Sequence, residues 1–475
     1  MDSRVRICIA SLIPIVLVSG GTLGGLHLWN SMRTVSDVAQ RLPGQDERPA
    51  QSQQAENAEL SVGRLVRFSG KASDIVGSWP RFRGLGYDAI STEATPLKES
   101  WPEAGLDVLW SMETGEGFAG AAIHGGCVYL MDYERSTTEE SIRCFSLDDG
   151  EEIWRHTYVN KIKNNHGMTR TVPTVTDDFV VAMGSKCRVT CLSTKTGELL
   201  WDLDLVAEYG TKIPQWHTSQ CPLIDKGKVI LAPGGTCLVM AVDCQTGQVL
   251  WETPNPDAWC MTHNSLLPMT FAGQDFYVYC GGVTAAGGVV GVSAEDGSVL
   301  WKTTEWCVRT NVPMPVPLGE DRLFMCAGYG QTQFGCAILK LTDQNGRIEV
   351  TREFMAGTKV FGSMQQTPIL YEGHIYGVGM DKQLACLDLQ GNVLWRSSSV
   401  HRFGHGAYMI ADGKLFLIDD DGLLTLVKPS PDGYQPLAQA TVFEDGNECW
   451  GPMAVASGRL IVSDLTRMIC LSVGQ

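Results

Sequence analysis

A chain of 475 residues with a formal charge of −16 excludes a nucleic-acid binder that works through a basic surface, because neutralising phosphates takes clustered Lys and Arg. With 44% hydrophobic residues and 52 glycines the composition is that of a globular, turn-rich protein, which excludes a disordered or collagen-like chain.

Arg4 and Arg6 precede an uncharged run from Ile7 to Met32. That run is long enough to span a bilayer, and its positive flank comes first, which places the rest of the chain on the extracytoplasmic side. Residues 1–30 are therefore expected to form a transmembrane helix that anchors the protein. The competing reading is a cleaved leader, since Ser19, Gly20 and Gly21 follow the most apolar part and offer small residues to a peptidase. Cys8 opens the run instead of following it, so lipid attachment is not expected. Residues 31–76 are polar, with Arg48 to Asn57 at their centre, and read as a linker that admits a short helix at 58–68.

Residues 77–475 carry a repeat. Its clearest copy runs from Gly291 through Gly297 to Trp301, and its relatives place Gly150 with Trp154, Gly197 with Trp201, Gly247 with Trp251 and Gly391 with Trp395. Trp154, Trp201, Trp251 and Trp301 are 47, 50 and 50 residues apart, a period that belongs to four-stranded propeller blades. Glycine supplies the positive φ of a tight turn, and the tryptophan offers a flat face to the neighbouring blade. Cys144, Cys191, Ala241, Gly291, Cys386 and Cys470 share one position ahead of that turn, where a small residue is expected. A worn copy puts Val350 in the tryptophan slot, and another unit ends near Leu437. The series begins with the end of a unit at Trp110 and finishes with the front half of one at 468–472. Pairing the two halves closes the ring and removes its free sheet edges. The fold class is therefore all-β, an eight-bladed β-propeller closed by its N- and C-terminal segments.

Within each unit an apolar hairpin precedes the glycine and tryptophan and supplies the two strands nearest the axis. The segments just before these hairpins connect one blade to the next and converge at one end of the ring. They carry His166, Arg170, Trp216, His217, His263, Asn264, Arg309, Gln365, His401, Arg402 and Trp450, which form the expected ligand- or partner-binding face. The competing account gives these groups to turn geometry and backbone satisfaction. None of the histidines has HxH or HExxH spacing, so no metal site is expected. Trp216, Trp259, Trp306 and Trp450 lie outside the repeated slot and are either stacking platforms for a carbohydrate or polymer, or core aromatics. Sixteen cysteines in an exported chain invite disulfides. At least four of them occupy the small-residue position, where free cysteine packs as a small hydrophobe; pairing of Cys187 with Cys191, of Cys237 with Cys244, or of Cys260 with a neighbour stays open.

The spacing resembles the quinoprotein-type repeat, Ala-x-Asp-x-x-x-Gly-x-x-x-Trp, and from Trp79 to the C-terminus the chain is similar to the pyrroloquinoline-quinone-like propellers. That family spans alcohol dehydrogenases and the propeller lipoprotein of the outer-membrane barrel-assembly machinery, so the repeat specifies fold better than activity. The resemblance implies first a membrane-anchored, non-catalytic scaffold for an envelope protein or extracellular ligand. Its alternative is an alcohol oxidoreductase using pyrroloquinoline quinone with calcium, which needs carboxylate and amide ligands for the cation and a carboxylate base. No Cys-Cys pair and no haem-attachment site occur, and the loops are poor in Asp and Glu, so no catalytic residue is named and no cofactor is established. A dehydrogenase requires a tryptophan floor, an Arg or Lys and at least two carboxylates at the channel mouth. A scaffold requires an aromatic or apolar patch there, with carboxylates elsewhere. The family also implies that the segment Trp79 to Gly84 lies across the ring, with Arg81 and Arg83 serving a structural cover or an anion.

Overall fold

The computed structural model describes residues 63–283, 286–330 and 333–475; the expected anchor and most of the linker lie outside the described residues. Among the described residues no helix is long and apolar enough to cross a membrane.

Eight antiparallel sheets form a propeller. Blade 1 runs outward through Ala122–His124, Cys127–Glu134, Glu139–Ser146 and Glu152–Val159. The next six blades repeat this order and begin at Thr174–Val175, Leu223–Asp225, Leu267–Phe271, Val316–Pro317, Ile369–Tyr371 and Tyr408–Ala411. Blade 8 takes Ala454–Ala456, Arg459–Ser463 and Arg467–Ser472 from the C-terminus and its outer strand, Val108–Glu113, from the other end of the described chain. Middle strands such as Lys414–Ile418 are buried along their whole length, which is why they read as unbroken apolar runs instead of alternating ones.

The outer two strands of every blade share one irregularity of register. Trp154 pairs with Cys144, Trp201 with Cys191, Trp251 with Ala241, Trp301 with Gly291, Trp395 with Cys386 and Trp110 with Cys470, and the register shifts immediately beside each pair. The small residue therefore lies directly opposite a bulged indole. The same shift occurs at Ile338 with Phe354 and at Leu426 with Ala438. Phe354, not Val350, thus fills the slot in blade 5, and Ala438, one residue past Leu437, fills it in blade 7. The blade 5 hairpin is longer, with strands Cys336–Gln344 and Arg347–Ala356, which carries its Gly346 turn away from the ring and misaligns the count.

Glycine and tryptophan meet across blade boundaries. A methyl group on Gly150 would lie 2.9 Å from the Trp110 ring, one on Gly197 2.6 Å from Trp154, and one on Gly247 2.7 Å from Trp201. These glycines hold φ of 74°, 72° and 71°, so both the conformation and the close approach require them. On Gly391 the methyl would meet Phe354 at 2.5 Å, whereas Gly346 faces open space.

Of the helix admitted at 58–68, residues 58–62 lie outside the described residues, and the described part forms a strand, Arg64–Arg67, that adds a fifth member to blade 1 opposite Trp154 to Thr157. Trp79 bridges Ile123 of blade 1, and Ile90 bridges Ile410 of blade 7, so residues 79–90 cross the ring. Arg83 gives its guanidinium to the carbonyls of Tyr87, Asp88, Thr367 and Pro368, and burial lowers its pKa to about 10. This is a cover that ties blades together, and it leaves Arg83 no room for an anion. All cysteines among the described residues are free, and only Cys260 and Cys307 are not fully buried; none of the three open disulfides forms.

Candidate functional site

The blade-connecting segments converge on a cavity of about 110 Å³. Its wall joins Phe118, Trp216, Tyr329 and Trp450 to Arg170, His263, Gln365 and Gln366, with Phe82 of the crossing segment also lining it. A second cavity of about 360 Å³ shares Trp216 and His263 and is bordered by Arg309 and Asn311.

Local backbone geometry sets the wall. After the outer strand of blade 2, a one-turn helix at Leu205–Tyr209 is capped by the Asp204 carboxylate and ends on Gly210 at φ 66°. The chain then passes through Trp216 and His217 at φ 68° and 70°. Two consecutive left-handed residues with side chains cost about 1–3 kcal/mol each, so the surroundings must hold them there. Part of that hold is Arg170, whose Nε donates to the carbonyl of Trp216 and whose Nη2 donates to the carbonyl of His166. The guanidinium lies 5.0 Å from the centroid of Phe118, and burial lowers its pKa to about 10.

Aromatic contacts complete the box. Phe118 stacks on Trp450 at 5.0 Å between centroids, His166 sits 5.6 Å from both, and Trp216 meets Tyr329 at 5.3 Å. Ser219 Oγ shares a 3.0 Å hydrogen bond with Nδ1 of His263. Burial, and then the Arg170 charge, lower the His263 pKa to about 4, so this imidazole is neutral at neutral pH. Gln365 Nε2 donates to the Tyr329 hydroxyl at 3.0 Å, and Gln366 Nε2 donates to the carbonyls of His405 and Trp450.

The carboxylates stand outside the wall. Asp420 accepts from the His405 backbone N–H, from Trp450 Nε1 at 2.7 Å and from Lys382 Nζ at 3.1 Å. Glu448 pairs with His166 at 3.1 Å. Neither lines a cavity.

Arg170, Trp216, His263, Gln365 and Trp450 thus come together at the first cavity and Arg309 at the second, with His166 packed on the rim. Four other residues of the expected face lie elsewhere. His217 is 8% exposed and packs toward the 163–168 segment, accepting no place in either wall. Asn264 is fully buried and donates to the carbonyl of Pro313 at 2.7 Å, a purely structural role. His401 meets Tyr434 at 5.1 Å in a tilted contact, and Arg402 is exposed; neither lines either of these cavities. Sequence reasoning missed Phe118 and Tyr329. Phe118 precedes the blade 1 hairpin, where no histidine or amide drew notice, and Tyr329 comes from the loop between the second and third strands of blade 5, which emerges at the same end of the ring. Trp259 and Trp306, 2% and 1% exposed, are core aromatics.

The donor set tests the quinone cofactor directly. The cavity offers the tryptophan and the arginine, but neither Asp nor Glu lines it or its neighbour. Among the described residues no three metal-ligating side chains gather. The residues present do not fit a calcium-bound quinone with a carboxylate base.

Fold and site together define an eight-bladed propeller with an aromatic, arginine-bearing channel mouth. Residues 138–391, more than half of the chain, match the family described as Outer membrane protein assembly factor BamB, and the chain belongs to that family. No curated protein matches the sequence. Solved structures share the fold at low identity. BamB from Moraxella catarrhalis has a TM-score of 0.51 at 14% identity over 77% of this chain and 99% of that one. A europium-containing methanol dehydrogenase reaches 0.59 at 12% over 83% and 98%. The quinohemoprotein alcohol dehydrogenase from Comamonas testosteroni reaches 0.55 at 13% over 84% and 81%.

Proposed function

We propose that the protein is a non-catalytic binding platform of the cell envelope, held to the membrane by its N-terminal stretch and presenting the loop end of its propeller to a protein partner. The observation that carries this reading is the channel mouth itself, where Trp216, Trp450, Tyr329, Phe118 and Arg170 line a concave site without a carboxylate. Trp, Tyr and Arg are the side chains that dominate interface energetics, and they do so in desolvated, pre-shaped pockets. Membership of a family described as an assembly factor supports the same reading. A carbohydrate-binding role is less favoured, because only two of the four free tryptophans reach the site.

A photo-crosslinking residue at exposed Gln215, beside the second cavity, tests the proposal in cells. The expected result is one discrete adduct in the membrane fraction, lost when Trp450→Ala is added. Saturable binding of pyrroloquinoline quinone with calcium, accompanied by dye reduction with simple alcohols, would overturn the platform reading in favour of the oxidoreductase.

A further inference from the structure

We propose that the cavity around Arg170 is a binding site for a small carboxylate carried on one flat, unsaturated ring, independent of any protein partner at the rim. Three observations meet there.

The first is a cation with no carboxylate in its cavity. Carbonyls of Trp216 and His166 take Nε and Nη2 of Arg170 and fix its plane, while Nη1 makes no hydrogen bond among the described residues. No Asp or Glu lines the cavity; the Glu448 carboxylate acts on Arg170 from outside the wall and pairs there with His166. A planar guanidinium already held in place, with donors to spare, matches a carboxylate in charge and shape.

The second is the shape and chemistry of the wall. Phe118 lies against one face of the guanidinium, and Trp216, Tyr329 and Trp450 supply flat surfaces beside it. The cavity of about 110 Å³, open on one side, is of the same order as engineered apolar cavities, roughly 150 Å³, that take up benzene. One ring fits beside Arg170. His263, buried between Ser219 and the cavity, adds a neutral polar group that does not compete for the anion.

The third is stored backbone strain. Trp216 and His217 hold left-handed conformations where one of them supplies both the ring in the wall and the carbonyl that orients Arg170. Backbone outliers of this kind concentrate at ligand sites, where they pre-shape the wall.

Isothermal titration of the purified chain with benzoate, benzamide and acetate tests the site. Benzoate is expected to bind saturably with a dissociation constant on the order of 1 mM or tighter, in line with its few heavy atoms. Benzamide, which lacks the charge, and acetate, which lacks the ring, are each expected to bind at least about tenfold more weakly. Arg170→Gln should weaken benzoate by a similar factor, and Arg402→Gln, outside both cavities, should leave it unchanged. Benzamide binding as tightly as benzoate, or no saturable benzoate binding at well above 1 mM, overturns the proposal. If Arg170→Gln does not fold, the comparison of benzoate with benzamide on the unaltered chain decides alone. Absence of any cross-linked adduct from Gln215 in the otherwise unaltered chain, with benzoate binding intact, would sink the platform reading and leave this site standing.

Discussion

The indole N–H of Trp110 donates to the carbonyl of Leu147 across 3.0 Å, and the ring of the same tryptophan lies against Gly150. Trp110 belongs to the strand that closes blade 8 by pairing with Arg467–Ser472, and Leu147 belongs to blade 1, so this side chain joins the closing blade to its neighbour. Trp201 makes the same bond to Cys244 at 2.7 Å, and Trp395 bonds Ser430 at 2.9 Å. Trp110→Phe keeps most of the packing and should cost about 1 kcal/mol for the lost hydrogen bond. Trp110→Ala removes the ring as well and should cost about 3–5 kcal/mol. Denaturant unfolding measures both, and equal losses would show that the ring is not held by this contact.

Two glycines with the same left-handed habit should respond differently to a methyl group. Gly197→Ala meets the Trp154 ring at 2.6 Å, whereas Gly346→Ala meets nothing. Both pay about 1 kcal/mol for the positive φ, and only Gly197→Ala adds a clash of roughly 1–3 kcal/mol. The difference in unfolding midpoint between the two variants reads the inter-blade contact alone.

His263 makes stability depend on pH in a defined direction. Its pKa is about 4 in the folded chain against about 6.5 when unfolded. The unfolded state therefore takes up its proton first as pH falls, and the folded state loses stability between about pH 6.5 and 4. The full loss from this residue is roughly 3 kcal/mol. An NMR titration should place the imidazole midpoint near the lower value, and His263→Asn should flatten the stability profile across that window. A midpoint close to 6.5 would show that the ring is solvated.

Glu140 is fully buried and accepts hydrogen bonds from the Tyr158 hydroxyl at 2.8 Å, Asn160 Nδ2 at 2.7 Å, and both the backbone N–H and the hydroxyl of Ser185 at 2.8 and 2.7 Å. The single hydroxyl proton of Ser185 is shared between Glu140 and the carbonyl of Met168, which lies 2.7 Å away, so this carboxylate braces the segment that carries Arg170. Glu140→Ala strands several donors and should cost about 3–5 kcal/mol. Chemical denaturation checks it; a loss below about 1 kcal/mol would mean that water replaces the carboxylate.

Thiol chemistry separates packing cysteines from accessible ones. Iodoacetamide on the native chain should modify Cys260 and Cys307 before any other described cysteine, because the rest are buried, and burial pushes thiols such as Cys187 and Cys221 up to about 12. Peptide mapping by mass spectrometry reads the order, and a disulfide-linked peptide would contradict the free thiols.

The sequence by itself determined the blade count, the closure of Trp110 onto Cys470 and the glycine-to-tryptophan rhythm, because each depends on residues a fixed distance apart within one unit. The small residue opposite each tryptophan was legible for the same reason. Where blade 5 lengthened its hairpin, local spacing pointed to Val350, and only cross-strand pairing revealed Phe354 in its place. The channel mouth was half legible: connecting segments pointed to Arg170, Trp216, His263 and Trp450, but His217, Asn264, His401 and Arg402 share those segments and turn elsewhere. Which side chain faces the axis depends on backbone torsions such as those at Trp216 and on neighbours one blade away. Those contacts join residues far apart in the chain, so tertiary structure alone decided that Phe118 and Tyr329 enter the wall and that Asp420 and Glu448 stay out of it.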